Sequence, residues 1–190
     1  FYRHKKFCIL EYIYSIVSFL FIMAKKNNSL FIYILIGILL GTILKLFVFD
    51  ILTVSGISME PTLKDNSVVI VNKLSYGLVI PFKYNFFFTW NKPQANDIVI
   101  FLHDNKIVIK RCVATSGQQL DFLDDTEYSL IVGNKKIILT EEQFSKMKQF
   151  DKVPEGYILA IGDNYYNSVD SRSYGFISEK NVIGKIITNE

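Results

Sequence analysis

The feature that most constrains this chain is an apolar run at residues 30–49, LFIYILIGILLGTILKLFVF, which contains a single charged residue, Lys45. At a rise of about 1.5 Å per residue, a helix of this length is about 30 Å long, the thickness of the hydrocarbon core of a bilayer. Lys45 lies near the end of the run, where its aliphatic stem can carry the ammonium group toward the interface. We therefore predict a transmembrane anchor at 30–49 and a separate domain at 50–190.

A cleavable signal peptide is the competing interpretation of this run. Its apolar stretch would be shorter, about 7–15 residues, and would end at a small-residue cleavage site. Here the run continues directly into DILTVSG, which favours a retained anchor. Lys25 and Lys26 precede the run, and positively charged residues favour the cytoplasmic side. We therefore expect the domain at 50–190 on the extracytoplasmic side of the cell membrane.

The N-terminal segment, 1–29, leaves two alternatives open. It contains a second apolar run at 7–23, interrupted by Glu11. Either residues 1–22 are sequence upstream of a natural start at Met23, or the run at 7–23 is a first span in a two-pass protein. The second alternative would put the basic residues at the start of the chain outside, against the positive-inside tendency.

The domain at 50–190 has the pattern of a β protein. Short runs rich in Val and Ile, bounded by turn residues, predict strands or hairpins at 67–74, 97–102, 106–113, 129–139, 157–162 and 182–187. Thr140 and Gln143 have capping-box spacing and predict one short helix at 141–149. We therefore expect a mainly β fold: an N-terminal transmembrane helix followed by an antiparallel β-barrel or sandwich with one short helix.

One aromatic segment, PFKYNFFFTW at 81–90, has two interpretations. Its rings belong either to the core of the β domain or to an apolar surface at the membrane interface, where Trp and Tyr are favoured. The sequence leaves both open.

Composition argues against two classes of function. The net charge is +3, and acidic and basic residues are intermixed after residue 60, which does not suggest a nucleic-acid partner. The chain has two cysteines and two histidines, and none of them forms a cluster with zinc-binding spacing. We therefore predict no metal and no other cofactor.

A candidate nucleophile, Ser58, lies in SGISMEPTL, shortly after the predicted anchor. A serine hydroxyl is a weak nucleophile until a base takes its proton. His103 is expected in an exposed hairpin turn, so it is a poor candidate for that base. Lys110 lies among apolar residues in KIVIKRCV, and burial there would lower its pKa from the ordinary value of about 10.4. From the strand alone, a surface lysine on an edge strand remains the alternative.

A third stretch, GDNYYNSVDSRSYGFI at 162–177, completes a pattern. Taken together with SGISMEPTL, NSVVIVNKLSYGL and KRCVATSG, it resembles the boxes of bacterial type I signal peptidases, membrane-anchored Ser-Lys enzymes that cleave signal peptides from exported proteins. The resemblance covers about residues 30–187. It implies that Ser58 is the nucleophile and Lys110 the general base.

The same resemblance assigns supporting roles in the last box. Ser168 would hydrogen-bond the lysine amine and orient it. Asp170 and Arg172 would pair and hold the loop, and Asp163 would support the fold.

Some positions depart from the family pattern, mainly at turns. Ala114 stands where the base box usually has Gly, and the residues at 116–118 replace a Pro-Gly-Asp turn. Asn66 and Ser67 replace the Gly-Asp that often opens the strand box. Gly56 stands two residues before the nucleophile, where some members have a serine that helps to form the oxyanion hole. Stabilisation of the oxyanion would then depend on the N–H of Ser58 and nearby main chain.

The predicted function is removal of signal peptides from secretory preproteins by a membrane-anchored serine endopeptidase, with the lipid bilayer as a second partner. Met59 follows the nucleophile and Ile109 precedes the base, so we expect them to line a pocket for a small substrate residue.

Three other functions share part of this pattern. A self-cleaving repressor-type Ser-Lys protease is disfavoured by the span and by the lack of a helix-turn-helix pattern. A β-lactamase-like S-x-x-K site is excluded because Pro61 stands at the lysine position. A membrane-anchored β module that binds partners without catalysis remains the alternative.

Overall fold

The computed structural model describes residue 18, residues 29–80 and residues 86–187. The run at 7–23, apart from residue 18, and the first half of the aromatic segment, 81–85, therefore lie outside the described residues. Helix α1, Ser29–Ile43, continues as a π-helical turn, Leu44–Val48. The stretch Leu30–Val48 is long and apolar enough to cross a membrane.

The chain divides into two compact units. The first ends at Lys45 and contains α1, and the second begins at Leu46. The described part of the second unit contains twelve strands: β1 Phe49–Thr53, β2 Val68–Asn72, β3 Gly77–Val79, β4 Phe86–Thr89, β5 Ile98–His103, β6 Lys106–Ala114, β7 Asp121–Leu123, β8 Ser129–Val132, β9 Lys135–Ile138, β10 Tyr157–Ile161, β11 Ile177–Ser178 and β12 Val182–Ile187. It also contains two short helices, α2 Glu141–Met147 and α3 Ser171–Tyr174.

The strands form one large antiparallel sheet and two small ones. The large sheet has the order β1-β2-β12-β5-β6-β10-β11, and the small sheets are β3-β4 and β7-β8-β9. The predicted antiparallel, mainly β fold is confirmed. A closed barrel is not formed among the described residues, because β1 and β11 end the large sheet without pairing to each other.

Helix α2 begins where the sequence predicts. The Thr140 hydroxyl accepts a hydrogen bond from Gln143 N, and the Gln143 side chain accepts one from Thr140 N, which completes the capping box. The helix ends at Met147, two residues before the predicted end. Helix α3 was not predicted, because its single turn is too short to show a hydrophobic period.

The centre of the large sheet is buried on both faces. In β5, Ile98 and Ile100 belong to one core cluster, while Val99 and Phe101 belong to another. Side chains alternate across a strand, so both faces of β5 are covered. Its neighbour β6 is exposed at Lys106 and Ile107 and becomes buried at Lys110.

Two segments differ from expectation. Strand β1, Phe49–Thr53, begins at the last residue of the predicted anchor, where no strand was predicted, and pairs with β2. In the described half of the aromatic segment, Phe87, Phe88 and Trp90 are exposed. The core interpretation therefore fails for these three side chains.

Candidate active site

Ser58 lies in an irregular segment between β1 and β2. Gly56 has φ of +95°, a conformation that favours glycine, and its N–H donates to Asp65 Oδ1 at 2.8 Å. Met59 is 1% exposed and packs into the core cluster that includes Val54 and Leu63. The segment is therefore held from both sides of Ser58.

Lys110 contacts Ser58 directly. It is 4% exposed on β6, and its Nζ lies 2.6 Å from Ser58 Oγ. Burial lowers the pKa of Lys110, and the nearby Arg172 charge acts in the same direction. The charges of Asp170 and Asp163 act against this, without restoring the ordinary pKa. An amine with a lowered pKa at this distance is able to accept the proton of a serine hydroxyl.

A buried ion pair holds the last box. Asp170 and Arg172 are 0% and 2% exposed, and Arg172 Nε donates to Asp170 Oδ1 at 2.8 Å. Arg172 Nη2 donates to Asp170 Oδ2 at 2.9 Å, so the pair is bidentate. Gly162 N and Ser168 Oγ also donate to this carboxylate, at 3.0 and 2.6 Å. The pair expected from the resemblance is therefore present.

The bond expected between Ser168 and the lysine amine is not among the hydrogen bonds of the described residues. Ser168 has one hydroxyl proton, and that proton is directed to Asp170. The hydroxyl nevertheless lies close to the nucleophile segment. A Cβ added to Gly162 would come within 2.2 Å of Ser168 Oγ and within 2.5 Å of Ser58 O. Only glycine permits this approach, and sequence reasoning did not single out Gly162.

Arg111 is the second residue that sequence reasoning missed. Its Nε and Nη2 donate to the two oxygens of Asp163, at 2.8 and 2.7 Å. Burial by itself would raise the pKa of Asp163, but hydrogen bonds from Arg111 and Thr62 outweigh it, so the pKa lies below its usual value. The pair connects the strand of Lys110 to the loop after β10. The available signal was an arginine in an apolar strand, which needs an acidic partner.

The other candidates lie as follows. Ile109 is half-buried and packs against the same core cluster as Met59, so it is the more accessible of the two predicted pocket residues. His103 stacks on Tyr174 with ring centroids 4.0 Å apart and is not bonded to Ser58 in the described structure. The described residues contain no group of three or more His, Cys, Asp or Glu side chains placed to hold a metal ion.

Comparison with known proteins finds, along most of the chain, the family that the sequence motifs resemble. Residues 27–189 match the family model described as "Signal peptidase, peptidase S26". The chain is 32% identical over 161 residues to Signal peptidase I of Bacillus caldolyticus, covering 75% of this chain and 80% of the relative. It is 28% identical to Signal peptidase I V of Bacillus subtilis, covering 85% and 97%, and 27% identical to Signal peptidase IB of Staphylococcus aureus, covering 86% and 89%.

Proposed function

Because this chain belongs to the signal peptidase family, peptidase S26, we propose that Ser58 and Lys110 are the nucleophile and general base with which it removes signal peptides from exported preproteins. The observation that carries the proposal is the contact of 2.6 Å between Lys110 Nζ and Ser58 Oγ, made by an almost fully buried lysine. A serine and an adjacent base within hydrogen-bonding reach are the requirement for acyl transfer.

The reaction proceeds in two halves. Ser58 Oγ attacks the carbonyl carbon of the cut bond as neutral Lys110 takes the hydroxyl proton. The tetrahedral oxyanion is stabilised by the Ser58 N–H, and Lys110 then returns the proton to the leaving nitrogen. The C–N bond breaks, the mature protein leaves, and the signal peptide remains as an ester on Ser58. Water then attacks this ester, with Lys110 again taking and returning the proton.

Ser168 supports the base in this scheme. With its proton held by Asp170, the Ser168 oxygen presents lone pairs and acts as an acceptor for the lysine amine when Lys110 becomes charged. Asp170 is fixed in turn by Arg172. The bond between Arg111 and Asp163 joins β6, the strand that carries Lys110, to the same loop.

Ile109 and Met59 are proposed to shape the pocket for the residue before the cut bond. Both are bulky and apolar, and Ile109 packs against the core cluster to which Met59 belongs. A pocket bounded by such side chains admits only a small residue, because overfilling a packed apolar site costs about 1–3 kcal/mol.

We also propose that the chain is anchored in the cell membrane by residues 30–49, with residues 50–190 on the extracytoplasmic side. The candidate span and the lysines that precede it support this arrangement. Strand β1 begins at the residue after the span ends. Its exposed Ile51 is in register with Ile70 and Ile187 on the neighbouring strands, and Phe49 is exposed two residues before Ile51. This apolar face, named the β1 face below, together with exposed Phe87, Phe88 and Trp90, suits contact with lipid.

The test is cleavage of a preprotein by purified full-length protein in detergent. Ser58→Ala should abolish cleavage, and Lys110→Ala should reduce it by at least about 10²- to 10⁴-fold, the contribution of a general base. Lys106→Ala removes an exposed lysine from the same strand and should leave the rate unchanged. Substantial cleavage by Lys110→Ala protein free of host enzyme would overturn the Ser-Lys assignment. A wild-type protein that cleaves nothing would favour the non-catalytic alternative.

A further inference from the structure

Asn164, which lies in the stretch 162–177, makes two hydrogen bonds to the segment that contains Ser58. The main-chain N–H of Asn164 donates to Ser58 O at 3.0 Å, and its side-chain Nδ2 donates to Ile57 O at 3.1 Å. The Asn164 Oδ1 accepts from Asn167 Nδ2 at 3.2 Å. Both bonds agree with this orientation of the Asn164 amide. Ile57 O is an acceptor and meets the Asn164 NH2 group, while the Asn167 NH2 group is a donor and meets the Asn164 oxygen.

These two bonds fix the peptide planes on both sides of the nucleophile. The carbonyl of Ile57 and the N–H of Ser58 belong to one planar peptide unit, in which they point in opposite directions. A hydrogen bond that holds the carbonyl therefore also aims the N–H. The local turn adds only one longer bond to this carbonyl, from Glu60 N at 3.2 Å.

The direction of this N–H matters for the chemistry. Among the hydrogen bonds of the described residues, none uses the N–H of Ser58 as its donor, so it is available to a substrate. Gly56, two residues earlier, has no hydroxyl that could share the task. A donor that stabilises an oxyanion acts only when it already points at the position where the charge develops.

We propose that Asn164 is a positioning residue, whose side-chain amide holds the Ile57 carbonyl and thereby aims the Ser58 N–H at the oxyanion. The proposal rests on the proposed role of Ser58 as nucleophile. In this proposal Asn164 acts on the transition state through the Ser58 N–H and does not itself contact the substrate.

The experiment compares Asn164→Ala with wild type in full-length protein, using a preprotein substrate. The side-chain bond is lost, while the main-chain bond to Ser58 O can remain. We expect kcat to fall about 10- to 100-fold, less than the 10²- to 10³-fold cost of removing an oxyanion donor entirely. KM and the acid limb of the pH profile should not change. Asn134→Ala removes an exposed amide from the β8–β9 turn and should leave kcat unchanged.

A second measurement separates positioning from binding and folding. Preprotein affinity is measured in Ser58→Ala protein and in the Ser58→Ala, Asn164→Ala double variant, neither of which turns substrate over. Equal affinities, with a thermal unfolding temperature well above the assay temperature, support the proposal. If the alanine variant unfolds, Asn164→Asp, which keeps the size of the side chain but replaces the donor by oxygen, is measured in its place.

Two results would overturn the inference while leaving the proposed function intact. One is a kcat within twofold of wild type, and the other is an affinity that falls as much as kcat. Full activity of Ser58→Ala protein would instead remove both the proposed function and the inference that rests on it.

Discussion

At the scale of single residues, the dyad depends on burial. A lysine that is 4% exposed does not keep its ordinary affinity for a proton, because the charged form loses more solvation than the neutral form. The carboxylates of Asp170 and Asp163 partly compensate by favouring the charge. The protonation of Lys110 is therefore a balance that a single substitution can move in a known direction.

The pH dependence follows from that balance. Since the folded pKa of Lys110 is lowered, activity should rise with pH through this pKa and be lost below it. Between the folded and the unfolded pKa the unfolded chain binds more protons, so stability should also rise with pH across this window. Asp163→Asn removes a charge that raises the pKa of Lys110, and it leaves the positive Arg111 nearby.

The measurement is the pH profile of kcat/KM. The acid limb of Asp163→Asn protein should lie at lower pH than that of wild type. Asp124→Asn, which changes an exposed carboxylate paired with Lys148, should leave the limb in place. A limb that moves to higher pH in Asp163→Asn would contradict the assigned direction.

Substrate choice also depends on single residues. If Ile109 limits the pocket, preproteins with Ala or Ser before the cut bond should be cleaved well, and those with Leu or Phe should lose about 5- to 150-fold in rate. Trimming Ile109 to Ala should partly restore cleavage of a substrate with Val at that position. A peptide series with Ala, Ser, Val, Leu and Phe measures this. Equal rates across the series would exclude the shallow pocket.

At the scale of elements, the loop from β10 to α3 is organised around one carboxylate. Asp170 caps α3 by accepting from Arg172 N, and it binds the arginine side chain and the Ser168 hydroxyl as well. The loop contains no regular strand, so these bonds take the place of the backbone hydrogen bonds that join paired strands. The charge of Asp170 is fully buried and must remain paired.

Breaking this pair should destabilise the fold. Arg172→Met leaves a buried carboxylate without its cation, which costs about 3–5 kcal/mol. For a chain of this size the thermal midpoint should fall by about 6–20 °C. Glu127→Gln is the matched control, because it breaks an exposed pair with Lys136 that is worth about 0–1 kcal/mol. Thermal unfolding in detergent measures both, and equal small shifts would show that the buried pair is not needed.

At the scale of the whole molecule, most of the large apolar side chains that are exposed among the described residues lie before residue 91. The β1 face directly follows the span along the chain, and the exposed aromatic residues of β4 add a second apolar surface. Contiguous exposed apolar surface of this kind is uncommon on a domain surrounded by water. This surface is the basis for the proposed contact with lipid.

Trp90 tests this contact, since it is the only tryptophan in the chain and is 53% exposed. In vesicles containing full-length protein, its fluorescence should be quenched by lipids brominated near the headgroup. A control protein with Trp90→Phe and Tyr128→Trp carries the probe on a partly exposed residue next to β8. That probe should be quenched by aqueous iodide and not by the lipid. Iodide quenching of Trp90 without lipid quenching would contradict the proposed contact.

Local patterns in the sequence were enough to predict the elements whose signal is local. The candidate span follows from a run of twenty residues with a single charge, and α2 follows from a capping box that is complete within four residues. The longer strands, β5, β6, β10 and β12, follow from runs of Val and Ile. Strands β3, β7 and β11 were missed because two or three residues show no period, and β1 was missed because its apolar residues merge with the span.

The candidate site also has one part that local sequence patterns predict and one part that they do not. The motif segments named Ser58, Lys110, Ser168, Asp170 and Arg172 as candidates, but no pattern gives a distance between positions 52 residues apart, as Ser58 and Lys110 are. Strand order and register decide that distance. They also decide that Asp163 faces Arg111 and that Asn164 reaches the Ile57 carbonyl. These contacts join segments from different parts of the chain, and their geometry is set only when the sheet assembles and buries both faces of its central strands.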